Sequence, residues 1–355
     1  MLRYYKFSLI FTVVCLALAA WYGWTLTASV SGTLSLLWIV IVLSVLEISL
    51  SFDNAVVNAT VLEDMDKVWQ RRFLTWGMLI AVFGMRIFFP LAIVAIAAGL
   101  GPMETVRLSL NDPVAYEEIV SSAHVGIAGF GGAFLAMVGL KFFFDADKDV
   151  HWISVVEEKL AKFSRIEAVE IAFLLIALYL ISLMLSDEEA LTFMVAGTLG
   201  LVTFIAVEAI STVLELQEES RAAAGAVVRS GLGGFLYLNV LDASFSFDGV
   251  IGAFALSNNM IVIALGLSIG ALFVRSMTIH LVDKGTLGHY RFLEHGAFWA
   301  IIVLGAIMLV SAKYHIPETV TGLFGAALIG ISLWWSVRHN RRHPDAAIED
   351  ALRGD

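Results

Sequence analysis

Apolar residues fill ten runs of roughly 17 to 29 residues along the chain, each close to the roughly 20 residues that a helix needs to cross a bilayer. They lie near 7–26, 34–62, 73–100, 125–144, 168–185, 190–213, 231–256, 260–282, 292–312 and 317–337. Short polar segments separate them, and nowhere is there room for a large extramembrane domain. The pattern predicts an all-α polytopic membrane protein of about ten transmembrane helices. The first run follows Arg3 and Lys6 and carries Ala17-Leu18-Ala19 near its end, features shared with a cleaved signal peptide. Its length, and Trp21 and Trp24 at its far end, favour an anchoring span. Between the fourth and fifth runs, Trp152, Val155, Val156, Leu160, Phe163 and Ile166 recur at helical spacing, with Glu157, Glu158, Lys159 and Lys162 between them. This reads as an amphipathic helix on the inner membrane surface, acids and lysines turned to water.

Composition agrees with the class: 59% of residues are hydrophobic and only 15% charged, with a mean hydropathy of +0.86. The net charge of −10 argues against a nucleic-acid partner. The one cysteine, Cys15, excludes an intramolecular disulfide. Basic residues set the orientation. With the N-terminus inside, the cytoplasmic segments hold Arg3, Lys6, Lys67, Arg71, Arg72, Lys141, Lys148, Lys159, Lys162, Arg165, Arg221, Arg229, Lys284, Arg291, Arg338, Arg341, Arg342 and Arg353, against Arg107 and Lys313 outside. Such asymmetry predicts both termini in the cytoplasm.

Within these runs one phrase occurs twice. Leu46-Glu47-Ile48-Ser49-Leu50-Ser51-Phe52-Asp53-Asn54 returns 195 positions later as Leu241-Asp242-Ala243-Ser244-Phe245-Ser246-Phe247-Asp248-Gly249. An ionised carboxylate at the centre of a span costs about 2.5 to 3.5 kcal/mol on insertion scales, so its repetition at matched positions argues for a duplicated intramembrane site. The copies occupy the second and seventh spans and so cross the membrane in opposite directions, the signature of an inverted repeat. Arg86 in the third span has a counterpart in Arg275 of the eighth, and Gly132-Ala133-Phe134 resembles Gly296-Ala297-Phe298. Two inverted three-helix repeats result, at 34–144 and 231–312. Around them lie a first span with its outer loop (1–33), a cytoplasmic amphipathic loop with two linking spans (145–230), and a last span with a polar cytoplasmic tail (313–355).

Depth and phase then place the side chains. Glu47 and Asp242 lie midway along their spans, while inversion sets Asp53 toward the cytoplasm and Asp248 toward the outside. Glu47, Ser51, Asn54 and Asn58 share one helix face, with Asp53 about 120° away. The second span would measure roughly 43 Å as one helix, well beyond the roughly 30 Å hydrocarbon core, so a break near 51–54 is expected. Oxygen ligands of this kind suit hard divalent cations such as Mg²⁺, Ca²⁺ or Mn²⁺. The repeats hold no cysteine or paired histidine to favour zinc or copper. With Glu208 included, five intramembrane acids face two arginines, so at least one carboxyl is free to carry a proton, and proton-coupled release is the corresponding expectation. His124, His280 and His295, near span ends, read as packed histidines. Gly126, Gly129, Gly131 and Gly132 read as a close-packing stripe. Three alternatives stay open. The acids pair with Arg86 and Arg275 simply to hold the bundle. The protein is a non-transporting membrane scaffold. Or two aspartates form an intramembrane protease dyad, against which the usual Tyr-Asp and Gly-x-Gly-Asp contexts are missing.

Glu47 with Asp53-Asn54, Arg86, Asp242 with Asp248, and Arg275 together resemble the TerC family of the LysE transporter superfamily. The longer phrase from Ser51 to Ala59, with Ser246-Phe247-Asp248-Gly249 and Phe292-Leu293-Glu294-His295-Gly296-Ala297, is similar to the branch known as DUF475. The resemblance covers roughly residues 34 to 312. It implies a membrane protein, not an enzyme, linked to tellurium resistance and manganese export. It also implies a bacterial inner membrane location, with Mn²⁺ as substrate and no permanently bound cofactor. Carried over residue by residue, Glu47, Asp53, Asn54, Asp242 and Asp248 are the metal-site candidates, supported by Ser51, Asn58, Arg86, Ser246 and Arg275. Gly249 departs from the family pattern, which has a hydroxyl or amide residue there. The expected partners are the cation and the bilayer, with homo-oligomerisation left open.

Overall fold

In a computed structural model of the chain, residues 2–63, 65–77, 79–144, 150–163, 168–223, 231–254, 256–257, 259–283, 290–314, 316 and 318–342 are described. Among them there is no strand. In chain order the helices are α1 (Leu2–Thr27), α2 (Val30–Leu50), α3 (Phe52–Glu63) and α4 (Lys67–Arg72). Two π-helical segments follow, π1 (Phe73–Gly77) and π2 (Ile80–Phe88). Next come α5 (Phe89–Ala98), α6 (Pro102–Asn111), α7 (Pro113–Ser122), α8 (His124–Phe143), α9 (Ser154–Phe163), α10 (Val169–Ser182) and α11 (Asp187–Ala223). The last four are α12 (Leu232–Phe254), α13 (Met260–Asp283), α14 (Leu293–Ser311) and α15 (Glu318–Arg342). Helix occupies each predicted apolar run. Six stretches among the described residues are long and apolar enough to cross a membrane: Arg3–Thr27, Val30–Ser49, His124–Phe143, Asp187–Leu214, Met260–Asp283 and Leu293–Ser311.

Local chemistry explains where the remaining runs are divided. The 34–62 run breaks at Ser51, inside the predicted interval. The 73–100 run winds wide as π1 and π2 before tightening into α5. Pro90, the second residue of α5, has no N–H to offer the carbonyl of Arg86 four residues earlier, and its ring would crowd that carbonyl in an α-helix. A π turn widens the backbone where the α ladder would fail, and such turns are frequent at functional sites. The pair α6–α7, too short for span-length periodicity to reveal, starts twice with proline. The Glu104 carboxylate accepts from the Gly101 N–H (3.0 Å), and Asp112 accepts from the Ala115 N–H (3.2 Å). Tyr116 and Val120 of α7 are fully buried in one core cluster with Val250 of α12 and Met260 of α13.

Glycine lets the bundle close. Gly129 of α8 lies against the backbone of Phe193 and Gly197 in α11, while Gly131 and Gly132 meet Met308 and Leu309 of α14, as the small-residue stripe implied. Helix α2 runs along α13 with Gly266 over Leu43, and the Ser44 hydroxyl donates to the Gly266 carbonyl (3.1 Å). Helix α1 seals this pair: the Ser8 hydroxyl donates to the Leu272 carbonyl and also meets the Ser276 hydroxyl, both at 2.7 Å. Across the centre, α2 packs on α13 and π2 on α12, α3 on α14 and α8 on α12, and α8 on α14.

The amphipathic helix α9 differs from its sequence reading. Glu157, expected on the watery face, is 2% exposed, whereas Val155 is 71% exposed. The Glu157 carboxylate accepts from the backbone N–H groups of Trp152 (2.9 Å) and Ile153 (3.1 Å) and from the indole N–H of Trp299 (2.9 Å), and lies 3.0 Å from Nδ1 of His295. Both His295 and Trp299 belong to α14. A carboxylate with that many donors is more stable inside the protein than in water, so it turns inward and leaves valine outside.

Candidate functional site

The duplicated phrase places Glu47 one turn before the end of α2. There the Ser51 N–H donates to the Glu47 carbonyl (3.0 Å) and the Ser51 hydroxyl to Oε1 of Glu47 (3.1 Å). At φ −100° and ψ 19°, Ser51 has left the helical conformation, and α3 resumes at Phe52 with the Ala55 N–H on the Ser51 carbonyl (3.3 Å). Glu47, Ser51, Asn54 and Asn58, expected on one face, are all buried. The break therefore turns the chain without turning that polar stripe away from the core.

Three further elements converge on the stripe. Arg86, from π2, forms an ion pair with Glu47, and both side chains are nearly inaccessible. Asn58 donates from Nδ2 to Oδ1 of Asp242 on α12 (2.9 Å). Gly270 of α13 and Gly249 of α12 face Glu47. A Cβ at Gly249 would stand 3.1 Å from the Glu47 carboxylate, and one at Gly270 would overlap its methylenes. Gly249 is thus where α12 approaches the first copy of the phrase. Gly270 was not singled out from sequence, although Gly266-x-x-x-Gly270 is the spacing that could have revealed it.

Electrostatically, Glu47 and Arg86 neutralise each other, and both act on Asp242. Asp242, only 6% exposed, adds a second buried carboxylate, while Oδ1 of Asn58 is buried and takes no hydrogen bond among the described residues. Among the described side chains this leaves one buried carboxylate more than Arg86 can balance, a charge that a positive partner or a proton would stabilise.

The other predicted residues divide. The backbone of Asp53 lies in α3 and those of Ser246 and Asp248 in α12, but their side chains fall outside what is described, and with them the protease dyad. Arg275 does not join the cluster: its Nε donates to the Leu74 carbonyl and its guanidinium carbon stands 5.9 Å from the centre of the Phe7 ring. Glu208, counted among the intramembrane acids, pairs with Lys141 (2.9 Å) at an accessible position. The histidines are held by packing and hydrogen bonds, His124 to the Ser311 carbonyl (3.1 Å) and His280 stacked on Tyr4 (4.9 Å). No three His, Cys, Asp or Glu side chains converge as a metal cluster among the described residues.

The chain matches the family described as Protein of unknown function (DUF475) over residues 52–343. No curated protein matches, and no solved structure does.

Proposed function

The chain belongs to the DUF475 family, whose description assigns no activity, and we propose that it is a membrane transporter of a divalent metal cation, with Mn²⁺ export as the leading reading. The observation that carries the proposal is the meeting of the two copies of the acidic phrase. Asn58 of the first binds Asp242 of the second, and Gly249 of the second makes room for Glu47 of the first. Acids kept only to pair with the arginine of their own half would not require the two copies to meet across the bundle.

Ten spans with two inverted three-helix repeats are the architecture we propose, in a bacterial inner membrane with both termini cytoplasmic. Support comes from reciprocal packing. The second span rests on the eighth as the seventh rests on the third, and the second on the ninth as the seventh on the fourth. Exchanging the halves leaves that pattern unchanged, as a two-fold axis in the membrane plane requires. The TerC resemblance supplies manganese and the link to tellurium resistance. The excess buried carboxylate supplies the rationale for proton coupling, since the site is neutralised by H⁺ when the metal leaves. The scaffold alternative draws on the Glu47–Arg86 pair, which neutralises one acid without any ion.

Mn²⁺ flux into proteoliposomes tests the proposal, with wild type compared to Asp242→Asn, Asp53→Asn and Asp248→Asn, and Mg²⁺, Ca²⁺ and Zn²⁺ as competitors. Flux in wild type that is lost in the variants is the expected result. Folded wild type without flux, or variants that transport normally, would overturn it in favour of the scaffold.

A further inference from the structure

A cavity of about 280 Å³ lies between α1, π1, π2 and α13, lined by Phe7, Leu79, Leu272 and Arg275 among others. A second, of about 390 Å³, lies farther along α1, π2 and α13, where α5 and α6 complete the wall, lined by Val14, Cys15, Leu18, Leu91 and Ala264 among others. Phe11 and Phe83 border both, so the two form one groove. Its walls are apolar, and Phe7, Val14, Leu18, Leu79 and Phe83 are exposed on the outside of the bundle. From Phe7 to Leu18 the groove follows α1 for about 16 Å, close to the roughly 15 Å depth of one leaflet's hydrocarbon.

One charge interrupts this apolar surface. Arg275 uses Nε on the Leu74 carbonyl, and among the described residues its guanidinium meets no carboxylate and no second acceptor. Leu74 stands two residues beyond Arg72, and Arg71 and Arg72 are exposed, as are Arg3 and Lys6 at the start of α1. The guanidinium therefore lies near the level where the chain gathers its basic residues. A guanidinium on an apolar wall with no carboxylate beside it is poorly solvated by acyl chains alone, and a phosphodiester with no cationic headgroup to compensate it both matches the remaining N–H groups and supplies the missing charge.

We propose that this groove is a binding site for an anionic phospholipid, its phosphate on Arg275 and one acyl chain lying along α1 toward Leu18 and Ala264. The site is separate from the Glu47–Asp242 cluster and stands whether or not the chain moves a cation. Arg275, the counterpart of Arg86 in the second half, serves a different partner because α1 and π1, not a buried glutamate, occupy its surroundings.

Native mass spectrometry of the full chain in detergent, titrated with phosphatidylglycerol and phosphatidylcholine of identical acyl chains, tests this. Wild type is expected to favour phosphatidylglycerol roughly fivefold, the ratio for about one basic residue against an anionic lipid. Arg275→Gln brings the ratio to parity, Arg275→Lys keeps most of it, and Arg71→Gln with Arg72→Gln leaves the preference in place. Ala264→Phe, which fills the groove without touching the charge, reduces uptake of both lipids and tests the site even if the arginine variants fail to fold. Equal uptake of the two lipids by wild type overturns the proposal. So does a preference that survives Arg275→Gln or is lost with the Arg71 and Arg72 variants, full displacement by soluble glycerol phosphate, or a lipid-free dimer that fills the groove.

Discussion

Glu47 is held from four sides, by Arg86, the Ser51 hydroxyl, and the glycines at 249 and 270. Removing one member of a buried ion pair strands the other, at about 3–5 kcal/mol. Arg86→Gln, which leaves Glu47 beside the second buried carboxylate Asp242, should therefore sharply lower the thermal midpoint in detergent, followed by size exclusion, while Glu47→Gln with Arg86→Gln recovers part of the loss. Equal stability of the single variant and wild type would show that the pair does not form. Gly270→Ala should destabilise by about 1–3 kcal/mol, because α13 cannot retreat from α2 without opening the core. Gly330→Ala in α15, where a Cβ meets nothing within 4 Å, is the control and should gain up to about 1 kcal/mol of helix propensity. Hydropathy shows that Glu47 is costly where it lies, but the identity of its partner depends on how π2 is rotated, which no local pattern encodes.

Among the elements, α9 makes the clearest prediction. Burial by itself pushes the Glu157 carboxyl up, yet the donors from His295, Trp299 and the Ile153 backbone, with the charge on His295, outweigh it and hold the group down at about 2 against an ordinary 4.5. A depressed carboxyl stabilises the docked helix fully above the ordinary value, and that contribution fades as pH falls from 4.5 toward about 2. Hydrogen exchange of the α9 amides, taken relative to the intrinsic rate at each pH, should thus be slow at pH 7 and at pH 5 and accelerate below 4.5. In Glu157→Gln it should be fast throughout, and an α9 that stays protected in that variant would contradict the role given to Glu157. The amphipathic period of α9 was legible in the sequence. Which face turns inward was not, because all four donors that capture Glu157 lie outside its own helix, two of them 138 and 142 residues away on α14.

At the scale of the whole molecule, the proposed topology puts His151 in the cytoplasm and Ile316 outside. In a Cys15→Ser background, His151→Cys should react with a membrane-impermeant maleimide only after permeabilisation, and Ile316→Cys in intact cells. The reverse pattern would invert the orientation, and labelling of both from one side would break the span count. The sequence by itself determined that this is a helical membrane chain with an interrupted second span, glycine-mediated packing and a repeated acidic phrase. Hydropathy, span length and small-residue spacing are properties of single segments, readable without knowing their neighbours. Only the tertiary structure decided that Arg86 meets Glu47 while Arg275 turns to an apolar groove, that Asn58 reaches Asp242, and that Glu157 is buried. Each of those choices depends on the relative rotation and depth of helices far apart in sequence, and these are settled by the packing of the whole bundle.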